Sequence, residues 1–401
     1  MTAERRHLAL FIKSMAGGGG ERVMLNLAQE FARRGHRTDL VLARARGPLL
    51  AEVPEAVRVV DLRVRTALQA IPGLLRDPAA LPQLLRSPSM VYNLPFVFGA
   101  IPGLARYLSD ERPDALLSAL NFGNLAALFA NRLAGRATRL VVSEHNPLSV
   151  RVEKETQRRM RTLPASVGRF YPEASAIAAV SEGVADDLAA TAGLPRASIH
   201  VTYNPVVTPE LRRRAQEPAA HPWLAPGEPP VVIGVGRLQP QKDFATLIRA
   251  FALLRARREV RLLIVGQGPL HGALERLAAE QGVAKDVQLP GFAPNRLSLM
   301  HAASLFALSS LWEGLPTVLI EALACGCPVV STDCRSGPAE ILDGGQYGAL
   351  VPPSDPAALA DAMDAALGAP RNSDRLRERA DLYSSERSGE RYLALLTGEA
   401  L

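Results

Sequence analysis

The sequence predicts an α/β protein of two doubly wound domains, each with a parallel sheet covered by helices on both sides, facing each other across a cleft. Short apolar runs alternate with longer amphipathic segments along the chain, and this alternation is typical of parallel sheets built from βαβ units. The pattern occurs twice, in two sets of similar size. A length of 401 residues is enough for two or three domains with large cores.

The first domain is predicted over residues 1–205. Its first helix, Glu21–Arg34, carries apolar residues at spacings of three and four, among them Val23, Leu27 and Phe31, so they share one face. The predicted strands are His7–Ile12, Thr38–Leu42, Val57–Asp61, Asp114–Ala119, Arg139–Ser143, Ala176–Val180 and His200–Tyr203. The other predicted helices are Asn121–Leu133, Val150–Ser166 and Glu182–Thr191.

An interdomain linker is predicted over 206–230, because this stretch is polar, contains several prolines and has no apolar periodicity. The second domain is predicted over 231–370, with strands Val231–Gly236, Arg261–Val265, Val287–Leu289, Leu305–Ser309, Pro328–Thr332 and Ala349–Val351. Its predicted helices are Asp243–Arg257, His271–Gln281, Asn295–Ala302, Pro316–Cys325, Ala339–Leu342 and Asp355–Leu367. Residues 371–401 are rich in Arg and Glu and predicted to be helical; the pattern allows, but does not require, that they pack back onto the first domain.

Composition and charge exclude several classes of protein. The 46 basic and 40 acidic residues give a net charge of +6, which is weak for a dedicated nucleic-acid binder. Three cysteines lie within ten residues, Cys325, Cys327 and Cys334, with no histidine nearby; this suits neither a disulfide framework nor a zinc site. No apolar run approaches the ~18 residues that span a bilayer. We therefore expect a cytoplasmic protein.

Two segments raise the question of a lipid partner. Residues 63–107 interrupt the alternation and are apolar, rich in proline and interspersed with arginines. They are either a helical insertion packed on the first domain, or a surface that enters a lipid interface or holds a lipid-bearing substrate. Residues 150–170 carry six basic residues, which form either a solvated helix face or an attractive surface for anionic lipid head groups. Peripheral contact with the inner face of the plasma membrane stays open.

Four consecutive glycines, Gly17 to Gly20, follow the first predicted strand and precede the first helix. Ligands of open α/β sheets bind at the carboxyl ends of strands, and a helix N-terminus there favours an anion. The run matches neither of the common glycine-rich nucleotide motifs. A phosphate loop with Gly18 and Gly19 at its centre and a simple tight turn are equally compatible with it.

A pair of cations follows the first strand of the second domain. Arg237 ends that strand, and Lys242 comes five residues later, just before a helix. Two cations that converge on one point suit a diphosphate, whose charge must be neutralised as the bond to it breaks. We therefore predict a diphosphate site here rather than two unrelated surface charges.

Glu313 and Glu321 are separated by seven residues, in the segment Glu313-Gly314-Leu315-Pro316-Thr317-Val318-Leu319-Ile320-Glu321. Pro316 fits a first helical turn, which places Glu313 in the preceding loop and Glu321 along the helix. The free N–H groups near Thr317 then face the same cleft. This arrangement can bind a sugar, a ribose and a phosphate together.

His145 follows a first-domain strand in the run Ser143-Glu144-His145-Asn146. A single histidine is more often structural. At the carboxyl end of a strand that faces the other domain, however, it is a candidate for hydrogen bonding to a substrate.

Taken in order, Gly-Gly-x-Glu-Arg near the start, Gly-Arg-Leu-x-x-x-Lys from Gly236 and Glu-x7-Glu from Glu313 resemble family 4 of the retaining glycosyltransferases. That family has two Rossmann-like domains in the arrangement called GT-B. The resemblance covers nearly the whole chain and is strongest from Val231 to Pro352. Four consecutive glycines stand where many members have Gly-Gly-Ala-Glu, which leaves open which glycine amide contacts phosphate.

The resemblance implies a role for each of these residues. Arg237 and Lys242 would hold the diphosphate of a nucleotide sugar, helped by backbone amides at Gly18 or Gly19 and near Thr317. Glu321 would bind the ribose hydroxyls, and the catalytic positions Glu313 and His145 would contact the donor sugar. Gly314 and Leu315 would complete the donor site. The family works without a metal or other cofactor, and the chain has no D-x-D-type carboxylate cluster at the predicted site.

The resemblance also implies an activity. Ser336-Gly337-Pro338 followed by Glu340 is similar to members that transfer UDP-linked hexoses or N-acetylhexosamines, with retention, to lipid-linked or surface glycans of bacteria, such as lipopolysaccharide. The diphosphate would act as the base in an internal-return mechanism. A nucleotide-sugar 2-epimerase, or another GT-B enzyme that needs no glycan acceptor, is the alternative. We expect no nucleic-acid partner.

Overall fold

The computed structural model describes residues 4–76, 94–154 and 158–399. Contacts within the chain divide it into two compact units. The first contains Met1–Pro205 and Ser385–Leu401, and the second contains Val206–Ser384. Each unit has its own parallel sheet with helices on its faces, so the predicted fold class is confirmed.

The first unit is built on a seven-stranded sheet. Its strands are β1 (His7–Ile12), β2 (Arg37–Leu42), β3 (Val57–Asp61), β4 (Ala115–Ala119), β5 (Arg139–Glu144), β6 (Ala176–Ala179) and β7 (Ile199–Val201). They pair in parallel in the order β3-β2-β1-β4-β5-β6-β7. The order reverses between β1 and β4, which is where ligands of doubly wound sheets bind.

Helices cover both faces of this sheet. They are α1 (Gly19–Arg33), α2 (Ile71–Leu75), α3 (Ile101–Glu111), α4 (Asn121–Leu133), α5 (Leu148–Lys154), α6 (Arg158–Arg161), α7 (Leu163–Phe170) and α8 (Glu182–Ala192). The single helix predicted over Val150–Ser166 is wrong, because α6 ends at Arg161 and α7 begins at Leu163. Pro164 supplies one physical reason, since it stands in the first turn of α7, where a missing N–H is tolerated. Residues 155–157 lie outside the described part.

The second unit contains a six-stranded parallel sheet. Its strands are β8 (Val231–Val235), β9 (Arg261–Val265), β10 (Val287–Gly291), β11 (Leu305–Leu308), β12 (Val329–Thr332) and β13 (Ala349–Val351), in the order β10-β9-β8-β11-β12-β13. Its helices are α9 (Pro209–Ala215), α10 (Phe244–Arg255), α11 (His271–Glu280), α12 (Arg296–Ala302), α13 (Thr317–Ala324), α14 (Pro338–Ile341), α15 (Pro356–Gly368) and α16 (Ser373–Ala380). The strand order reverses between β8 and β11.

The last helix, α17 (Ser385–Thr397), belongs to the first unit. It packs against α1, β4 and β5. Tyr392 is fully buried there in one core with Phe31 and Leu117. Its hydroxyl lies 3.0 Å from Ser143 Oγ at the end of β5.

Residues 206–230, where the sequence predicted a linker, belong to the second unit and include α9. Thr208 caps this helix by accepting a hydrogen bond from the backbone N–H of Leu211. The helix packs against α12, and the apolar side chains of Leu211 and Ala215 are buried. Pro209, one of the prolines that indicated a linker, instead stands in the first turn of this short helix, where proline is well tolerated.

Of the segment 63–107, the structure describes 63–76 and 94–107; Leu81, Pro82 and Arg86 lie outside the described residues. The described parts form short 3-10 turns and the helices α2 and α3, which pack within the first unit. Phe98, for example, lies edge-to-face against Phe129 with ring centroids 6.1 Å apart. Across the described ranges, no helix combines the length and the apolar character needed to cross a bilayer.

Candidate active site

The strand order of the second unit brings two predicted site segments together. The loop after β8 ends with the 3-10 turn Pro240–Lys242, and the loop after β11 contains Glu313. Because β8 and β11 are neighbours, these loops lie side by side at the same edge of the sheet. The backbone N–H of Leu311 donates to Gln241 O at 2.8 Å, and Ser309 Oγ donates to Lys242 O at 2.7 Å.

Lys242 and Glu313 form a direct ion pair. Lys242 Nζ lies 2.5 Å from Glu313 Oε1, and the two side chains are only 13% and 9% exposed. Ser310 Oγ donates to the same oxygen at 2.7 Å. From the sequence, these two residues are expected to bind different groups of the donor, Lys242 the diphosphate and Glu313 the sugar. The structure instead makes each the partner of the other, so any anion that binds Lys242 meets a cation already in contact with a carboxylate.

Two glycines allow this close packing. A Cβ at Gly236 would lie 3.1 Å from Lys242 Cε, so the lysine stem crosses directly over the backbone at the end of β8. Gly337 has a φ of +92°, and a Cβ there would lie 2.4 Å from Pro316 Cδ. The loop before α14 therefore contacts the start of α13, which only glycine permits at this position.

Arg237 is exposed at the carboxyl end of β8. Its guanidinium forms no ion pair or side-chain hydrogen bond with any residue in the described ranges. It is therefore a cation available to a ligand, unlike Lys242.

Helix α13 begins at Thr317, one residue later than predicted, with Pro316 as its N-cap and without a side-chain cap. The N–H groups of a first helical turn have no partner within the helix, and the helix dipole favours an anion there. Gly314 and Leu315 are buried in the preceding loop. The predicted residues from Glu313 to Thr317 thus form one continuous segment at the edge of the sheet.

Glu321 lies further along α13 and is 7% exposed. Both of its carboxylate oxygens accept hydrogen bonds from Arg296, the first residue of α12, at 2.8 and 2.7 Å. Arg296 was not among the residues predicted from the sequence. No motif contains it, and its separation from Glu321 by 25 residues leaves no periodic signal; a charged residue at the start of a predicted helix was the only indication.

In the first unit, the four glycines form the start of α1. Gly18 is the N-cap and Gly19 the first helical residue, again without a side-chain cap. A Cβ at Gly18 would lie 2.3 Å from Glu21 Oε2, whereas a Cβ at Gly19 would meet nothing within 4 Å. A side chain at position 19 would therefore not clash with the rest of the protein.

His145 follows β5 and is buried. Its Nε2 lies 3.2 Å from Ser143 Oγ, which also contacts Tyr392. Burial lowers the pKa of His145 to about 4, so its imidazole is neutral at physiological pH. A neutral imidazole can donate one hydrogen bond and accept another, but it cannot supply positive charge.

Glu144, which the sequence analysis did not select, is the centre of a buried polar network. Its carboxylate accepts hydrogen bonds from Asn121 Nδ2 at 2.7 Å, from Asn124 Nδ2 at 3.1 Å and from the Tyr171 hydroxyl. Arg151 Nη1 donates to Asn121 Oδ1 at 2.6 Å. Burial raises the pKa of Glu144 to about 7 despite these partners. The network fixes the end of β5 from which His145 projects.

A separate group of His7, Asp39 and Glu111 in the first unit has the ligand types of a metal site. Arg58 donates to both carboxylates, and Arg37 also donates to Glu111 at 2.5 Å. Guanidinium groups in these positions compete with a cation for the same oxygens. We therefore interpret the group as an ion-pair network.

Comparison with known proteins identifies the class. Residues 17–210 match the family described as Glycosyltransferase Family 4, and residues 216–382 match Glycosyl transferases group 1. The N-acetylgalactosamine-N,N'-diacetylbacillosaminyl-diphospho-undecaprenol 4-alpha-N-acetylgalactosaminyltransferase of Campylobacter jejuni is 30% identical over 345 residues, which are 86% of this chain and 85% of the relative. The chain belongs to the family 4 glycosyltransferases.

Solved structures of low sequence identity share the fold. Anabaena Alr3699/HepE in complex with UDP matches with a TM-score of 0.73 and 20% identity, over 98% of this chain and 100% of that one. WaaG, a glycosyltransferase involved in lipopolysaccharide biosynthesis, matches with a TM-score of 0.68 and 16% identity, over 98% and 100%. The GT-B fold implied by the resemblance is thereby confirmed.

Proposed function

We propose that the protein transfers a hexose or N-acetylhexosamine from a UDP-linked donor to a hydroxyl of a lipid-linked or surface glycan, with retention of the anomeric configuration. The name of the Campylobacter relative describes an α-linked transfer to a diphospho-undecaprenol-linked sugar, and the Anabaena structure holds UDP. Both facts support the choice of substrates.

One observation in this chain carries the proposal. The strand order reverses between β8 and β11, and at this point Lys242 and Glu313 lie together with the uncapped start of α13. The exposed Arg237 lies at the carboxyl end of β8. Cations and free backbone N–H groups suit a diphosphate. A carboxylate beside them suits sugar hydroxyls and the positive charge that develops at the anomeric carbon.

In the proposed reaction the bond between the anomeric carbon and the diphosphate oxygen breaks, and UDP leaves with the electron pair. The acceptor oxygen attacks from the same face, and its proton passes to the departing diphosphate. Arg237 and Lys242 neutralise the leaving group. Glu313 and the neutral His145 hold the sugar, while Gly18 or Gly19 and Thr317 donate backbone N–H groups to phosphate. The cations take the role that a divalent metal has in other transferases.

We further propose peripheral contact with an anionic membrane through the stripe Leu68, Ile71 and Leu75. These side chains are 59%, 37% and 60% exposed, and their spacing of three and four places them on one face. The exposed Arg65 and Arg76 lie on either side, and basic residues near such a surface attract anionic head groups. A lipid-linked acceptor would require the enzyme to work at this interface.

The transfer test incubates the protein with radiolabelled UDP-sugars and bacterial lipid extract. We expect label to enter the lipid fraction. The new glycosidic bond should have the same anomeric configuration as the sugar in the donor, and turnover should be unchanged in EDTA. UDP release without an acceptor would contradict transfer and favour the epimerase alternative. An inverted product would contradict retention, and abolition by EDTA would contradict the metal-free mechanism.

The membrane test measures flotation with vesicles of phosphatidylglycerol or of phosphatidylcholine. We expect binding to the anionic vesicles alone, and its loss in the double variant Leu68→Glu, Leu75→Glu. Leu253→Glu is the matched control, since Leu253 is also an exposed leucine, 43% accessible, on α10. Equal flotation of the double variant and the wild type would contradict this surface.

A further inference from the structure

The second acid of the Glu-x7-Glu pattern is fixed by a residue outside the pattern. Glu321 is almost completely buried, and Arg296 donates one hydrogen bond to each of its carboxylate oxygens. A buried carboxylate is costly unless it is paired and hydrogen-bonded. A planar guanidinium in bidentate contact also fixes the plane of the carboxylate, which a lysine does not do.

The start of α12 holds Arg296 in place. Asn295 caps this helix, because its Oδ1 accepts a hydrogen bond from the backbone N–H of Leu297 at 3.2 Å. Its Nδ2 donates to Arg214 O at 2.8 Å and to Glu217 Oε2 at 2.7 Å. The cap therefore ties the first residue of α12 to the region around α9.

The two helices that carry the pair are also tied to each other. Cys325 Sγ donates to Leu297 O at 3.4 Å, and His301 Nδ1 lies 3.0 Å from Cys325 O. These contacts hold α12 against the end of α13. The position of Arg296 relative to Glu321 is therefore fixed by these side-chain-to-backbone hydrogen bonds as well as by the ion pair.

We propose that Arg296 is a positioning residue for the ribose of the donor. This inference rests on the proposed function and on the role that the family resemblance implies for Glu321, which is to bind the ribose hydroxyls of the nucleotide donor. A carboxylate offers about four lone-pair sites, and Arg296 occupies one on each oxygen. One site on each oxygen remains, in a fixed plane, which suits two neighbouring hydroxyls such as the 2′ and 3′ hydroxyls of a nucleoside diphosphate.

A purely structural ion pair between two helices makes a different prediction. Its loss would lower stability and would weaken every nucleotide to the same extent. Loss of a positioning residue weakens only those nucleotides that have the ribose hydroxyls. The ratio of affinities for ribose and dideoxyribose nucleotides therefore separates the two roles.

The experiment measures binding of UDP and of 2′,3′-dideoxy-UDP by calorimetry, in the wild type and in Arg296→Gln. The dideoxy nucleotide lacks both hydroxyls, so we expect the wild type to prefer UDP by about a hundredfold, about tenfold for each hydrogen bond to a charged group. Arg296→Gln should lose about a hundredfold in UDP affinity and leave the dideoxy affinity unchanged, so that the preference disappears. Arg296→Lys keeps the charge but not the bidentate contact, and should also lose most of the preference.

Arg255→Gln is the matched control, because Arg255 Nε pairs with Asp286 Oδ2 at 2.9 Å elsewhere in the same unit. It should keep the full preference for UDP. Equal weakening of both nucleotides in the Arg296 variants, or a preserved ratio, would overturn the inference; if Arg296→Gln does not fold, Arg296→Lys decides. A wild type that binds UDP without preferring the ribose form would also overturn it while leaving the UDP site intact.

GDP and its dideoxy form are measured beside the uridine pair. A protein that binds only the guanosine nucleotides would refute the uridine donor of the proposed function. The ratio between the two guanosine forms would still test Arg296. Failure of the donor and failure of the positioning role are thus distinguishable.

Discussion

Glu313→Gln should tighten the binding of UDP while it lowers the rate of transfer. In the structure without nucleotide, Lys242 Nζ is 2.5 Å from Glu313 Oε1 in a largely buried position. UDP must therefore draw the ammonium away from a carboxylate before it can use the full charge of Lys242. A glutamine of the same shape still accepts a hydrogen bond but carries no charge, so it competes less with the diphosphate.

The expected gain in UDP affinity follows from the free energy of one charge-assisted hydrogen bond. Such a bond contributes about 1.5–3 kcal/mol. Because glutamine retains part of the contact, about 1.4 kcal/mol becomes available to UDP, which is about tenfold in Kd. The rate should fall by about a hundredfold, a usual effect of removing one group that stabilises charge in a transition state.

Calorimetric titration with UDP gives the affinity, and initial rates with saturating donor and acceptor give kcat. Asp286→Asn is the control, since it removes a carboxylate paired with Arg255 in the same unit and should change neither quantity. Weaker binding of UDP to Glu313→Gln than to the wild type would refute the reasoning. Glu313 would then orient Lys242 toward the nucleotide instead of competing with it.

Four further predictions each concern one charged or titratable side chain. Arg237→Ala should weaken UDP binding by about tenfold without changing stability, whereas Lys242→Ala should also lower the free energy of unfolding by about 3 kcal/mol, because it leaves Glu313 buried without its cation. The pKa of about 4 at His145 means that the unfolded chain takes up the proton first, so stability should fall by about 3 kcal/mol as the pH drops from 6.5 to 4; urea unfolding should show this loss disappear in His145→Gln. Burial instead raises the pKa of Glu144 to about 7, so the unfolded chain loses its proton first as the pH rises. Stability should therefore fall between pH 4.5 and pH 7, and Glu144→Gln should remove this pH dependence in the same assay.

The sheets were predictable because each strand is a short apolar run bounded by turn residues. All thirteen predicted strands occur, with ends within two residues of those observed. The helix over 150–166 was wrong because amphipathic spacing continues across interruptions that periodicity does not detect. The linker differs from the structure for a related reason, since Thr208 and Pro209 start a helix too short to show a period.

At the candidate site, the sequence selected the loops after β8 and β11, which the structure places side by side, but it did not predict how their charges pair. The contact between Lys242 and Glu313 depends on β8 and β11 being neighbours, and strand order is not contained in local patterns. Arg296 was equally hidden, because all but four of the 46 basic residues are arginines. A single arginine in such a sequence carries little information until the fold places it against a buried acid.

The two acids of the pattern have basic partners of different kinds, and this difference matches different roles. Lys242 is a point charge on a flexible four-carbon stem, so it can move from a carboxylate to a phosphate as a ligand arrives. Arg296 is a planar group in bidentate contact, so it holds its carboxylate in one orientation. An exchangeable partner suits the acid proposed to contact the reacting sugar, where charge must shift during transfer, and a fixed partner suits the acid proposed to recognise an unreactive ribose. Exchanging the two kinds of base, in Lys242→Arg and Arg296→Lys, should therefore affect turnover in the first case and ribose recognition in the second.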